Sequence, residues 1–279
     1  MKTILVPADF SSTSRNAAIY AIGLAQQVGA SKIVLYNGFT FPIVVTPDPL
    51  LSSIGTMEFD TIKQASQNEL QHLKQSLEKD CPIGISIDTI ADYGSFTSEI
   101  NKICQQINAD VIVMGITSGG VFYEKILGSN TTVIAKTASV PVIIVPANRS
   151  YKHIDRFLLV SDFAHVIDAK PYSQIKDILN DTKASLLILN VAETSHHSYY
   201  EDSFECLALK KIFAGHNPKF HFIVSPNFSE AINSFADENK VDVTIIIPKK
   251  HSLLENIFIS SHSKELAFHS HVPLVAIHE

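Results

Sequence analysis

The residue types best suited to chemistry lie in one stretch, Met114-Gly-Ile-Thr-Ser-Gly-Gly-Val-Phe-Tyr-Glu-Lys-Ile-Leu-Gly-Ser-Asn130. The apolar run 111–114 leads into it, and residues 131–137 read as a short helix leading out toward a last apolar run, 140–145. A strand ending in glycine, a polar loop and Gly-Ser at a helix start can cradle phosphate with the backbone. Glycine lets the main chain come close, while unpaired N–H groups and the helix dipole favour an anion. Gly115, Gly128 and Ser129 are the main phosphate candidates, and Ser118, Asn130 and Thr131 add hydroxyl or amide groups. The competing reading is ordinary loop chemistry. There the glycines serve a turn or a positive φ, and Asn130 or Thr131 caps the helix.

Asp9 is the next candidate. It ends the first apolar run, where a carboxylate can accept hydrogen bonds from a ligand or stabilise the dipole of the helix that follows. Histidine offers less. His72 stands alone in the first half, and the other 11 of the 12 histidines fall from His153 onward. Neither His196-His197 nor His269-Ser-His271 is joined by a carboxylate or thiolate at a familiar ligand spacing, so a structural or surface role is expected, not a metal site. Such histidines change charge between about pH 5 and 7, which leaves a pH-sensitive surface open. Cys81, Cys104 and Cys206 are scattered without a Cys-x-x-Cys pair, which argues against a disulfide framework or a thiolate metal centre.

Composition narrows the class. The 279 residues suffice for two ordinary domains, and 18% charged against 46% hydrophobic residues describes a globular chain. A net charge of -6 argues against sequence-independent nucleic-acid binding, which needs a basic footprint. No apolar run approaches the roughly 20 residues that span a bilayer, and Met1-Lys-Thr-Ile-Leu-Val-Pro7 lacks a signal-peptide core. A cytoplasmic protein without a membrane partner is therefore expected.

The elements that must position these residues alternate. Residues 3–6, 32–36, 83–91, 111–115 and 142–145 read as strands. Residues 12–28, 59–79 and 97–107 read as helices, the first capped by Ser11, Ser12 or Ser14. A connector, 39–57, carries Pro42, Pro47 and Pro49. Alternation of this kind implies a parallel sheet covered on both faces, an α/β fold.

The pattern then repeats. Phe157-Leu-Leu-Val-Ser-Asp-Phe163 answers Ile4-Leu-Val-Pro-Ala-Asp-Phe10, with Asp162 placed 153 residues after Asp9, and residues 186–190 answer 33–37 at the same offset. Later the offset is 132: Phe228 answers Phe96, Asp242 answers Asp110, and Val272-Pro273 answers Val140-Pro141. The difference, 153 − 132 = 21 residues, is missing from the second copy between about positions 38 and 85 of the first. Two fixed offsets with matched residues indicate duplication. We divide the chain into domains 1–147 and 154–279. In register, Gly115, Ser118, Gly128 and Ser129 become Ile247, Lys250, Ser260 and Ser261, and Pro248-Lys-Lys250 opens the loop, so the second copy lacks the phosphate-binding features.

Ile4-Leu-Val-Pro-Ala-Asp-Phe-Ser11, Val111-Ile-Val-Met-Gly115, Gly128-Ser-Asn130 and Val140-Pro-Val-Ile-Ile-Val145 together resemble the universal stress protein family in a tandem two-domain form. The resemblance covers essentially the whole chain. It implies two doubly wound parallel five-stranded sheets of order 3-2-1-4-5, with ATP or AMP at the carboxyl ends of strands 1 and 4, where ligands of such sheets bind. Nucleotide-binding members carry Gly-x2-Gly-x9-Gly-Ser/Thr, and here Ser118 stands where the second glycine is expected. By this resemblance Pro7, Ala8, Asp9, Gly115, Ser118, Gly128, Ser129, Asn130 and Thr131 are the expected ligand contacts, with or without a magnesium ion. Family members pair through fifth-strand edges, which implies an intramolecular pseudo-dimer here and leaves room for a further homodimer. Ser118-Gly119-Gly120 also resembles the loop of ATP pyrophosphatases, but it follows the fourth strand and no Asp-Ser succeeds it; a Walker loop is absent. No histidine or glutamate is placed by motif to activate water, and Glu124 and Lys125 are expected to face solvent. The expected function is nucleotide binding in the first domain, with weak ATP hydrolysis at most. The alternative is a nucleotide-independent scaffold that contacts a protein through the connector or the histidine-rich half; the amphipathic segment 199–213 is expected to pack over the sheet.

Overall fold

The computed structural model describes residues 1–41, 49–116, 129–163, 169–192, 203–247 and 272–278. In the first half these form β1 (Thr3–Pro7), α1 (Ser12–Val28), β2 (Lys32–Phe39), α2 (Pro49–Glu78), β3 (Ser86–Tyr93), α3 (Phe96–Ile107), β4 (Val111–Ile116), α4 (Ser129–Thr137) and β5 (Val142–Pro146). The second half contains β6 (Arg156–Val160), α5 (Ala169–Thr182), β7 (Ser185–Ala192), α6 (Phe204–Ile212), β8 (Lys219–Val224), α7 (Phe228–Glu238), β9 (Val243–Ile246) and β10 (Leu274–Ala276). The ten described strands join one sheet in the order β3-β2-β1-β4-β5-β10-β9-β6-β7-β8. Each half thus has strand order 3-2-1-4-5, parallel throughout, and the halves meet where β5 and β10 pair antiparallel, Ile143 against Val275.

The central strands are buried on both faces, as their unbroken Val, Ile and Leu runs require. Even-numbered residues of β1 (Ile4, Val6) pack with Ala17, Ala21 and Leu24 of α1 on one face. Leu5 lies in the opposite layer with Ile100 and Ile103 of α3 and Ile134 of α4. Helix α1 starts at the serine cap Ser11, whose side chain accepts from the Ser14 amide, and ends on Gly29 in the left-handed region.

The connector differs from the sequence expectation. Helix α2 starts at Pro49, ten residues before the expected Phe59, and so takes over part of the 39–57 connector. Proline is compatible with the first turn of a helix because its missing N–H needs no partner there, and no proline interrupts residues 50–78. Helix α4 likewise starts at Ser129, so Asn130 and Thr131 lie inside it and neither is its cap. Helix α6 occupies the same β–β connection as α2 but has 9 residues against 30, which is where the second copy is short.

The segment between the halves is bound to α1. Asn16 Nδ2 donates to the carbonyls of Pro146 and Arg149, and Gln27 Nε2 donates to those of Ile154 and Thr182. Tyr151 stacks edge-on against Tyr20 with centroids 5.0 Å apart, resting on α1 where Gly23 leaves room. The Met1 amino group pairs with Asp181 of α5, so the two halves are also joined at the start of β1.

Candidate functional site

The strand order reverses between β1 and β4, since the chain moves outward from β1 to β2 and β3 and then crosses back to β4. Crevices for ligands form at the carboxyl ends of such a pair. Here the β1–β4 ladder holds only Ile4↔Val111 and Leu5↔Ile112. Beyond it each strand keeps pairing on its outer side, β1 with β2 to Pro7↔Tyr36 and β4 with β5 to Ile116↔Pro146.

Pro7 explains the break. Ala8 N donates to Tyr36 O on β2 at 2.8 Å, so the alternation of the strand turns residue 7 toward β4. Proline has no N–H to offer there. In the second half Val160 occupies the matching position, Ser161 N donates to Leu189 O at 3.0 Å, and the β6–β9 ladder runs on to Val160↔Ile246. Only the first half therefore has an interrupted ladder at its switch point.

Asp9 lies just past β1, facing solvent. Its Oδ1 accepts from Ser11 N at 3.0 Å and Ser11 Oγ at 2.6 Å. Burial raises its pKa, but hydrogen bonds from Ser11 and Ser14 outweigh that and hold the carboxyl below its ordinary value. The carboxylate thus stays charged at the first turn of α1, where the dipole favours it. Phe10 follows with φ 64° and Phe163 matches it with φ 55°, so the strained turn after the first strand belongs to both copies and marks the fold, not the ligand.

Gly115 has a packing role. A Cβ there would lie 2.6 Å from Thr13 Cγ2 and 2.8 Å from the Thr13 carbonyl carbon, so the end of β4 admits the first turn of α1 only without a side chain. Its φ lies outside the left-handed region, which removes the expected turn explanation. Ile247, the counterpart in the second copy, is a buried apolar residue.

Helix α4 begins at Ser129, and Thr131 is buried at the spacing of Ile134 and Ala135 on the sheet-facing side. Ser118 and Gly128 lie outside the described residues, as do Lys250, Ser260 and Ser261. The structure thus brings Pro7, Ala8, Asp9 and Gly115 to adjacent strand ends, with Ser129–Thr131 in the helix that follows β4.

Three participants are not evident from motifs. Asn37 Nδ2 donates to Ala8 O at 2.7 Å, and Ser66 Oγ donates to Asn37 Oδ1 at 2.7 Å. Thr13 supplies the contact that requires Gly115. The one available signal was the recurrence of Asn37 as Asn190 at offset 153. Beside them the buried Tyr36 hydroxyl has no partner among the described residues, and burial, with Asp92 and Glu99 nearby, pushes its pKa up to about 12.

Elsewhere, no group of three or more His, Cys, Asp or Glu among the described residues could hold a metal ion. His153 pairs with Asp155 at 3.1 Å, and His278 bonds the Ala135 carbonyl. His196, His197, His269 and His271 lie outside the described residues. None of the three cysteines forms a disulfide. No described helix is long and apolar enough to cross a membrane.

A family model described as the universal stress protein family matches residues 1–146 and again residues 159–278. The chain belongs to the universal stress protein family. It is 30% identical over 146 residues to Universal stress protein MJ0531 of Methanocaldococcus jannaschii, which covers 52% of this chain and 81% of that relative. Universal stress protein MJ0577 of the same organism is 25% identical over 161 residues, covering 53% of this chain and 97% of the relative. A universal stress protein structure from Archaeoglobus fulgidus superposes with TM-score 0.66 and 19% identity, covering 98% of this chain and 94% of that one. That likeness establishes the tandem universal stress fold for the whole chain.

Proposed function

We propose that the first half of this universal stress protein binds one adenine nucleotide, ATP or AMP, at the carboxyl ends of β1 and β4. The second half, on this reading, is a non-binding partner in an intramolecular pseudo-dimer. The observation that carries the reading is the ladder break: β1 and β4 stop bonding after Leu5↔Ile112, while β6 and β9 pair to the end. Three features support it: the ionised Asp9 beside the break, the glycines in the sequence between β4 and α4, and the start of α4 at Ser129.

Protein purified without added nucleotide, then denatured and chromatographed, is expected to release ATP or AMP in up to equimolar amount. Phosphate release from added ATP is expected to stay at the buffer rate. Release well above that rate would replace binding by turnover. The second reading, a nucleotide-independent scaffold, is favoured by Phe204 and Leu207 of α6, which stand exposed one turn apart. Protein that releases no nucleotide and gives no heat on titration with ATP would favour the scaffold.

A further inference from the structure

One hydrogen-bond chain ties helix α2 to the end of β1. Ser66 is buried on α2, and its Oγ donates to Asn37 Oδ1. The Ala8 carbonyl can only accept, so it holds Asn37 with Nδ2 toward β1 and leaves Oδ1 for Ser66. The Ala8 N–H is also fixed from β2, by Tyr36 O. Both backbone polar groups of Ala8, the residue before Asp9, are therefore set from β2, one through a side chain whose orientation depends on Ser66.

The second half supplies an internal comparison. Asn190 Nδ2 donates to Ser161 O at 3.0 Å, reproducing the Asn37–Ala8 bond 153 positions later. Asn190 Oδ1, however, is buried without a partner among the described residues. The 21 residues missing from that copy shorten the connection that holds Ser66 in the first half. A buried acceptor left unsatisfied is costly, so the loss is not a neutral rearrangement. Among the described residues the complete chain occurs only in the half that has the ladder break.

We propose that Ser66 is a positioning residue of the nucleotide site: acting through the Asn37 carboxamide, it fixes the Ala8 carbonyl and with it the direction in which Asp9 leaves β1. The assignment rests on the nucleotide reading above. Among the described residues the second half has no counterpart of this control.

The test is a double-mutant cycle read by calorimetric titration of ATP, with circular dichroism and thermal melting of each variant. Ser66→Ala is expected to weaken ATP binding about tenfold, the order set by loss of one partner of a buried hydrogen bond. Asn37→Ala should weaken it at least as much, and the double variant no more than Asn37→Ala alone, because the two act in series. Ser66→Thr, which keeps the hydroxyl, should recover parental affinity, and Asn190→Ala should leave it unchanged. A purely structural Ser66 would lower the melting temperature while leaving Kd alone and would show no coupling to Asn37; either result overturns the assignment. If Ser66→Ala melts below the titration temperature, Ser66→Cys, a close isostere with only a weak donor, gives the same comparison. A parent protein that binds ATP beside an equally tight Ser66→Ala contradicts only the role of Ser66. A parent that binds no nucleotide overturns both proposals.

Discussion

A missing N–H at Pro7 sets the difference between the two switch points. In the second copy Val160 stands in the same place, and the β6–β9 ladder runs on to Val160↔Ile246. Pro7→Val restores the donor. The new bond contributes about 1 kcal/mol, while removing proline frees the unfolded chain by about 0.4–1 kcal/mol, so the two nearly cancel in overall stability. The informative measurements are thus local. Hydrogen exchange should find the new amide at position 7 protected, and ATP affinity should fall several-fold as the strand ends close. A freely exchanging amide with parental affinity would show that the ladder break does not shape the site. At this scale the sequence was partly legible. Asp9 and Gly115 stand out by type and spacing, but neither the missing donor of Pro7 nor the packing of Gly115 against Thr13 could be read from them. Ser66 and Thr13 do not stand out at all, because their roles come from contacts with Asn37, 29 positions away, and Gly115, 102 positions away.

Between elements, Gly115 sets how closely α1 approaches the end of β4. Its type suggested close approach to a phosphate, and the structure shows close approach to the backbone of α1. The two are separable by experiment. Gly115→Ala forces a methyl group against main-chain atoms that cannot rotate away, at a cost of about 1–3 kcal/mol. The melting temperature of nucleotide-free protein should fall by about 2–4 °C for each of those kcal/mol. An unchanged melt, measured with nucleotide stripped, would contradict the packing account. The helix positions themselves were readable from apolar periodicity, α1 to the residue. The start of α2 was not, because proline marks a break from the sequence side while a first-turn proline fits a helix without strain. Helix α6 shows a related limit: Ser203 caps it through the Cys206 amide, but its exposed Phe204 and Leu207 give no apolar face pattern that fixes its start.

For the whole molecule, duplication made the fold legible before any contact was known. Two fixed offsets specify ten strands in two sets of five, and the sheet order repeats accordingly. What the offsets could not supply is how firmly the halves are joined. The antiparallel β5–β10 ladder, the Gln27 and Asn16 bonds to the intervening segment and the Met1–Asp181 pair all join the halves. His278, beyond β10, also bonds Ala135 of α4, so the second half contacts the helix that begins at Ser129. The central claim is one nucleotide site in a chain with two homologous positions. Its most direct measurement is the stoichiometry of ATP binding by titration calorimetry, in the parent protein and in Gly128→Val and Lys250→Ala variants that melt as the parent does. One nucleotide per chain, lost in Gly128→Val and kept in Lys250→Ala, is the expected result. Two nucleotides per chain, or binding that survives Gly128→Val and disappears with Lys250→Ala, would contradict the account.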